Sequence, residues 1–174
     1  MSASSQMSTR CGLARLIGAG AALVTLAAAG TASAETATDS QRQFADAFVA
    51  AMRSGDRASL RALMHPATLA CENSPARDYV ERMYSFVLHD GARFGPAYKI
   101  HQVLPMEGAS PIGPGYPFPV QPSYRMQIDS ESPGRSMAMN VWIAPAGDGW
   151  RAVYPCPTAE GMKVFRENQA RSSP

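Results

Sequence analysis

The side chains of this 174-residue sequence that could take part in acid–base chemistry are three histidines, a few carboxylates and several tyrosines. His101 lies mid-strand and would act as an acid or base only if it faced a pocket; a half-exposed histidine without such a role is the commoner alternative. Arg125 and Asp129 share one face of another strand, where a solvated ion pair is the commoner explanation. No two histidines have metal-ligand spacing. We therefore predict no catalytic residue and no metal site.

Three methionines suggest a different chemistry. Met137 and Met139 share one strand face, and Met126 on the neighbouring strand could complete a set of thioether ligands for copper. Methionine also fills irregular apolar space well, which is the interpretation that we favour. We therefore predict no cofactor, and Met126 and Met139 are candidates for the lining of an apolar pocket.

Tyrosine hydroxyls are a further candidate. Tyr79, Tyr84 and Tyr154 could offer hydrogen bonds to a ligand. The alternative is that these rings fill the core with their hydroxyls at its edge, as buried tyrosines usually do.

The amino-terminal segment has the features of a secretory signal peptide. Arg10 and Arg15 precede the apolar run LIGAGAALVTLAAAG, and Ala32 and Ala34 occupy the small-residue positions of a cleavage site. The run is shorter than the roughly 20 residues that a membrane-spanning helix needs. We expect a leader of residues 1–34, a mature chain that begins at Glu35, and a periplasmic or secreted protein without a membrane anchor. An uncleaved anchor is the alternative.

Two consequences follow from a cleaved leader. Removal of its two arginines leaves equal numbers of basic and acidic residues, so the mature chain is near neutral and we expect no nucleic-acid partner. Cys11 leaves with the leader, whereas Cys71 and Cys156 reach an oxidising compartment, where such a pair usually forms a disulfide. A reactive thiol or metal-ligand pair is the alternative.

The pattern of apolar residues predicts helices first and strands second. Helical periodicity covers Gln41–Ser54, a segment capped by Asp56 that ends at His65 before Pro66, and a third helix that opens at Ser74 and Pro75. Alternation with a period of two then predicts four strands, which are Tyr98–Leu104, Tyr124–Asp129, Ser136–Ala144 and Trp150–Tyr154. A weak terminal helix is expected at Thr158–Asn168. We expect the third strand to be central. The sequence thus predicts a single α+β domain over residues 41–168, preceded by a flexible segment, 35–40, and followed by a tail, 169–174.

The order of these elements, with the link GDRASLRALMHP and the late hairpin GDGWRAVYP, resembles the nuclear transport factor 2-like superfamily, which includes ketosteroid isomerases and polyketide cyclases. The resemblance covers roughly Gln41–Pro157. It implies three amino-terminal helices packed on one curved antiparallel sheet, a cone that encloses an apolar cavity. Catalytic members need a carboxylate base and an oxyanion partner in that cavity. The first helix here presents Phe44 and Phe48 rather than a tyrosine, so the catalytic pattern is not matched.

A proline-rich loop, residues 105–123, separates the first two strands. It contains PIGPGYPFPVQP, which can form neither a helix nor a central strand. Its apolar side chains could cover a ligand, offer a docking surface to a partner, or simply pack against the domain, and the sequence leaves these three alternatives open.

The function that these patterns favour is non-enzymatic binding of a small apolar ligand or a protein partner. A second copy of the chain, joined through the sheet, is a further candidate partner. An isomerase, cyclase or hydrolase-like enzyme acting on a small apolar substrate is the alternative. The candidate ligand-binding residues are Phe48, Tyr79, Met83, His101, Tyr116, Phe118, Met126 and Met139.

Overall fold

A computed structural model describes residues 36–132 and 135–172, and these form five α-helices and four β-strands. The predicted leader and the expected mature start at Glu35 lie outside the described residues. The elements are α1 (Asp39–Ser54), α2 (Arg57–Ala62), α3 (Pro66–Ala70), α4 (Arg77–Gly91), β1 (Tyr98–Pro105), β2 (Tyr124–Ser132), β3 (Arg135–Ala146), β4 (Gly149–Ala152) and α5 (Ala159–Ser172).

The first two helices begin at side-chain caps. The Thr38 hydroxyl accepts a hydrogen bond from the backbone N–H of Gln41, whose side chain accepts one from the N–H of Thr38, so α1 starts with a capping box. Gly55, at a φ of 71°, ends α1 in a left-handed conformation that favours glycine. Asp56 accepts a hydrogen bond from the N–H of Ala58 and caps α2, as the sequence predicts.

The structure has four α-helices before the sheet in the described chain, rather than the three that the sequence predicts. The additional helix, α3, begins at Pro66, whose missing N–H costs nothing at the first helical position. The Nδ1 atom of His65 accepts a hydrogen bond from the N–H of Ala67 at 3.1 Å and caps this helix. Pro66 therefore starts a helix as well as ending the preceding segment.

The Cys71–Cys156 disulfide is confirmed. Cys71 begins a 3₁₀ turn, Cys71–Asn73, between α3 and α4, and Cys156 lies between β4 and α5. Their Cα atoms are 6.0 Å apart, across a sequence separation of 85 residues. The bridge therefore joins the end of the helical half of the chain to the segment that follows the last strand.

The four strands form one antiparallel sheet in the order β1-β2-β3-β4, and with the helices they confirm the α+β class. One face of the sheet builds the core with α1 and α4. Val103, Met126 and Val141 lie side by side on β1, β2 and β3, and all three are fully buried. At Gly91, a Cβ atom would overlap Met52, so the lack of a side chain allows α4 to approach α1 closely.

The third strand is central only in its second half. β4 pairs with Ile143–Ala146 of β3, and the N–H of Val153 donates to the carbonyl oxygen of Trp142 at 2.7 Å. Residues 136–141 of β3 pair with β2 along one edge, and no strand in the described part of the chain pairs with their other edge. This half of β3 is therefore an edge, and Ala138 and Asn140 on it are exposed.

Candidate functional site

A groove of about 420 Å³ runs between α4 and the unpaired half of β3. This volume lies within the range of roughly 300–1,000 Å³ that is typical of ligand pockets. The groove is lined by Tyr79, Arg82, Met83, Phe86, Val87 and Asp90 of α4, by Met137, Ala138, Met139, Asn140 and Trp142 of β3, and by Ile112 and Tyr154.

Helix α4 contributes two parallel rows of side chains, because residues four apart lie above one another on a helix. The inner row, Tyr79, Met83 and Val87, is buried or half-buried, whereas the outer row is Arg82, Phe86 and Asp90. Phe86 is 62% exposed and is one of three large apolar side chains that the fold leaves exposed among the described residues. The helix thus forms an apolar wall with a charged residue on either side of an exposed aromatic ring.

The opposite wall belongs to β3. Met137 and Met139 pair with Ser130 and Ile128 on the face of the sheet that carries the core, and both methionines are half-buried. On this wall, Met137 and Met139 form an apolar surface beside the strand edge, which we call the apolar floor of the groove. Their flexible thioether side chains can adapt to different ligand shapes.

The end of the groove at Tyr79 holds hydrogen-bond donors for which the described part of the chain supplies no acceptor. Neither the hydroxyl of Tyr79 nor that of Tyr154 has a hydrogen-bond partner among the described residues, and the buried Nε1–H of Trp142 lacks one there too. Burial raises the pKa of Tyr79 to about 12, with a contribution from Tyr116, and burial also raises the pKa of Tyr154. Both tyrosines therefore stay protonated at neutral pH and can donate hydrogen bonds.

The proline-rich loop is fastened to the rest of the domain. The ring of Tyr116 packs on Tyr79 with centroids 5.6 Å apart, and its hydroxyl donates to the carbonyl oxygen of Gly161 in α5 at 3.0 Å. Phe118 packs on Trp142 with centroids 5.5 Å apart. Backbone hydrogen bonds join Pro117 to Cys156 and Gly115 to Thr158. Among the three alternatives for this loop, these contacts favour the packed one.

One residue of the loop nevertheless reaches the groove. Ile112 lines its rim and is 47% exposed. Together with Phe86, it places two exposed large apolar side chains beside the same opening.

Three of the eight candidate ligand-binding residues, Tyr79, Met83 and Met139, line this groove. Tyr116 and Phe118 pack directly against groove residues, as described above. Phe48 and Met126 do not line it, because both are fully buried in the core. They fill space between α1 and the sheet rather than facing a ligand.

His101 also lies outside the groove. The pairing of β1 with β2 is irregular between Ile100 and Gln102, and the His101 side chain lies on the face of the sheet opposite the core. Its Nδ1 atom is 3.2 Å from a carboxylate oxygen of Asp129, which also accepts a hydrogen bond from Gln127. Asp129 thus contacts His101 rather than Arg125, the partner that the sequence suggested.

Sequence reasoning missed the outer row of α4 and assigned Trp142 to no site. Phe86 carried only a weak signal, because single apolar side chains on a surface are common; it became informative once the structure placed Ile112 beside the same groove. Trp142 carried a weaker one, since it alternates with the apolar face of β3 and was expected to be covered. Within residues 36–132 and 135–172, no three His, Cys, Asp or Glu side chains are grouped as metal ligands would be.

Comparison of the chain with protein-family models, with curated proteins and with solved structures finds no match in any of the three. In the described part of the chain, no helix combines the length and the apolar character that crossing a bilayer requires.

Proposed function

We propose that this protein is a non-enzymatic binding domain that holds an apolar ligand in the groove between α4 and β3. The observation that carries the proposal is an apolar-walled groove of about 420 Å³ with the exposed side chains of Phe86 and Ile112 at its rim. Exposed large apolar side chains grouped at one concave site are typical of binding surfaces. Water around them is released when a ligand covers them, and this release drives binding.

The titratable groups of the groove support binding rather than catalysis. Tyr79 and Tyr154 are protonated donors, and a donor alone cannot remove a proton from a substrate. Asp90 is the only carboxylate among the lining residues, and it belongs to the outer row of α4. His101, the base that the enzymatic alternative would use, faces away from the groove.

The proposal includes an exported protein with a nuclear transport factor 2-like cone. The signal-peptide features of residues 1–34 and a disulfide between Cys71 and Cys156 support export to an oxidising compartment. An antiparallel sheet with α1 and α4 on one face supports the cone, in which such a face borders the ligand cavity.

A titration with Nile red, a neutral apolar dye, tests the groove. Phe86→Asp should weaken dye binding about tenfold, because the dye loses a contact worth roughly 1.5 kcal/mol or more. Val164→Asp is the matched control, since Val164 is also exposed, at 42%, but lies on α5 and does not line the groove. Equal binding by the wild type and both variants would rule the groove out as the apolar site.

Mass spectrometry under native conditions, on protein purified from its own host, would then report a retained ligand and its stoichiometry. Retention of an apolar molecule by the wild type and its loss from Phe86→Asp is the expected result.

A further inference from the structure

The unpaired half of β3 presents backbone hydrogen-bonding groups beside the groove. The carbonyl oxygen of Ile143 points toward β2, where it accepts a hydrogen bond from the N–H of Ser123 at 2.9 Å, and that of Trp142 points the other way, to Val153. Because successive residues of a strand direct these groups to opposite edges, those of Ala138 and Asn140 point away from β2. No strand within the described residues takes them.

An exposed strand edge beside an apolar groove suits a ligand that is itself an extended chain. Such a chain would pair with Ala138 and Asn140 through its backbone and place alternate side chains on the apolar floor formed by Met137 and Met139. The inner row of α4 would cover these side chains from the other side. A ligand without a backbone would leave the edge groups unused.

The bound chain has to end near Trp142. The carbonyl oxygen of Trp142 is already taken by Val153, and Tyr154 lines the same end of the groove. The direction of α4 helps to define this end. Tyr79, near the start of α4, lies close to Tyr154. Beyond the other end of α4, the N–H of Gly95 donates to the hydroxyl of Ser130 on β2, which pairs with Met137 near the start of β3. α4 therefore runs antiparallel to β3.

The charges and donors along the groove select which terminus the chain presents. The donors of Tyr79, Tyr154 and Trp142 gather at the end of the groove where β4 begins to pair with β3, which we call the closed end, and Arg82 lies one helical turn from Tyr79. Asp90 lies eight residues beyond Arg82, about 12 Å along the helix, at the open end. Neither Arg82 nor Asp90 has an ion-pair partner among the described residues. A carboxylate complements the closed end, and a basic group complements the open one.

We infer that the groove binds the apolar carboxyl-terminal segment of a partner protein as an extra strand, parallel to β3, with its terminal carboxylate at Arg82 and the two tyrosine hydroxyls. The inference rests on the proposed function, because it names the class of ligand that occupies the same groove. The distance from Arg82 to Asp90 corresponds to about four residues of extended chain.

The test uses a library of fluorescently labelled heptapeptides with free carboxyl termini and an identical library that is amidated at this end. Peptides with apolar residues at alternate positions should bind in the free-carboxylate library, and amidation should weaken them about tenfold or more. Arg82→Gln should have a similar effect, whereas Arg77→Gln, at an exposed position of the same helix outside the groove, should have none. Equal affinity for free and amidated peptides would overturn the inference.

Two further measurements probe the strand edge. Asn140→Pro removes an N–H that β2 does not use, so proline is compatible with this edge and should abolish binding of the free-carboxylate peptides. Methylation of the peptide backbone nitrogens at the pairing positions removes N–H donors from the ligand and leaves the protein unchanged. It should likewise abolish binding, and this measurement does not depend on whether Asn140→Pro folds.

The outcomes separate the two proposals. If Nile red binds in a Phe86-dependent way and no peptide binds, the inference fails and the proposed function stands. If neither probe binds, both fail. If sedimentation shows a dimer that Asn140→Pro dissociates, a second copy occupies the edge and the carboxyl-terminal peptide is the wrong occupant.

Discussion

The N–H of Val153 donates a hydrogen bond of 2.7 Å to the carbonyl oxygen of Trp142, and this contact marks the point on β3 where one edge changes from paired to free. On one side of it, β4 completes the sheet. On the other, the edge of β3 faces α4 across the groove, with Trp142 among the lining residues. The short length of β4 thus creates the site.

Trp142 should also report when the groove is filled. The chain has two tryptophans, and Trp150 lies on β4, packed on Tyr124 and hydrogen-bonded through Nε1 to Ser40. In a Trp150→Phe variant, the remaining emission comes from Trp142 and should shift when Nile red or a peptide binds. A shift of the same size in Phe86→Asp, at equal ligand concentration, would contradict the position assigned to the ligand.

Removal of the disulfide should lower the free energy of unfolding substantially. In the chain-entropy model, a loop as long as the one between Cys71 and Cys156 contributes about 4 to 5 kcal/mol, so a variant with both cysteines replaced by serine should be less stable by roughly that amount. Urea unfolding measures it. A reducing agent should destabilise the wild type and leave the double variant unchanged, and a double variant as stable as the oxidised wild type would contradict the prediction.

Core and groove methionines should respond differently to truncation. Met126 is fully buried, so Met126→Ala should cost about 2–5 kcal/mol of stability. Met139 is half-buried on the groove, so Met139→Ala should cost less and instead weaken Nile red binding. Thermal unfolding and dye titration of both variants separate the two roles, and loss of dye binding without loss of stability in Met126→Ala would contradict the assignment.

The packed loop predicts a stability effect at its aromatic residues. Replacement of both Tyr116 and Phe118 by serine removes two ring contacts and the hydrogen bond to Gly161, so it should cost several kcal/mol. A lid would contribute few core contacts, and the same change would then leave stability nearly unaltered. Glu160→Ala, on the exposed surface of the adjoining helix, is the control and should shift stability by less than about 0.5 kcal/mol.

Tyr79 should make the protein less stable at alkaline pH. Its pKa is about 12 in the folded chain against a usual value of 10.0, so between these values the unfolded chain releases a proton that the folded chain keeps. The free energy of unfolding therefore falls as pH rises from about 10 to 12, and this contribution is fully present below pH 10. Tyr79→Phe should flatten this fall relative to the wild type, as measured by urea unfolding at a series of pH values. An unchanged slope would show that Tyr79 does not titrate as its burial requires.

Local patterns in the sequence determined the elements and the disulfide. Helical periodicity located α1 and α4, and alternation located all four strands to within a few residues, because both patterns follow from backbone geometry. Cys71 and Cys156 were paired correctly because they are the two cysteines that follow the predicted leader. The short helix α3 escaped notice, since it depends on a single cap from His65. Export and the nuclear transport factor 2-like cone stay predictions.

The site was decided by tertiary structure. Ile100 and Val103 both face the core, so strict alternation along β1 cannot satisfy both. Alternation from Ile100 predicts that His101 faces outward, whereas alternation from Val103 predicts that it faces inward. The irregular pairing between Ile100 and Gln102 resolves this conflict and leaves His101 on the outer face. Likewise, Met126 and Met139 have the same alternation in sequence, yet one is in the core and the other lines the groove. The difference arises because β2 has a partner on both edges whereas half of β3 has a partner on only one, and alternation along a strand carries no information about its neighbours.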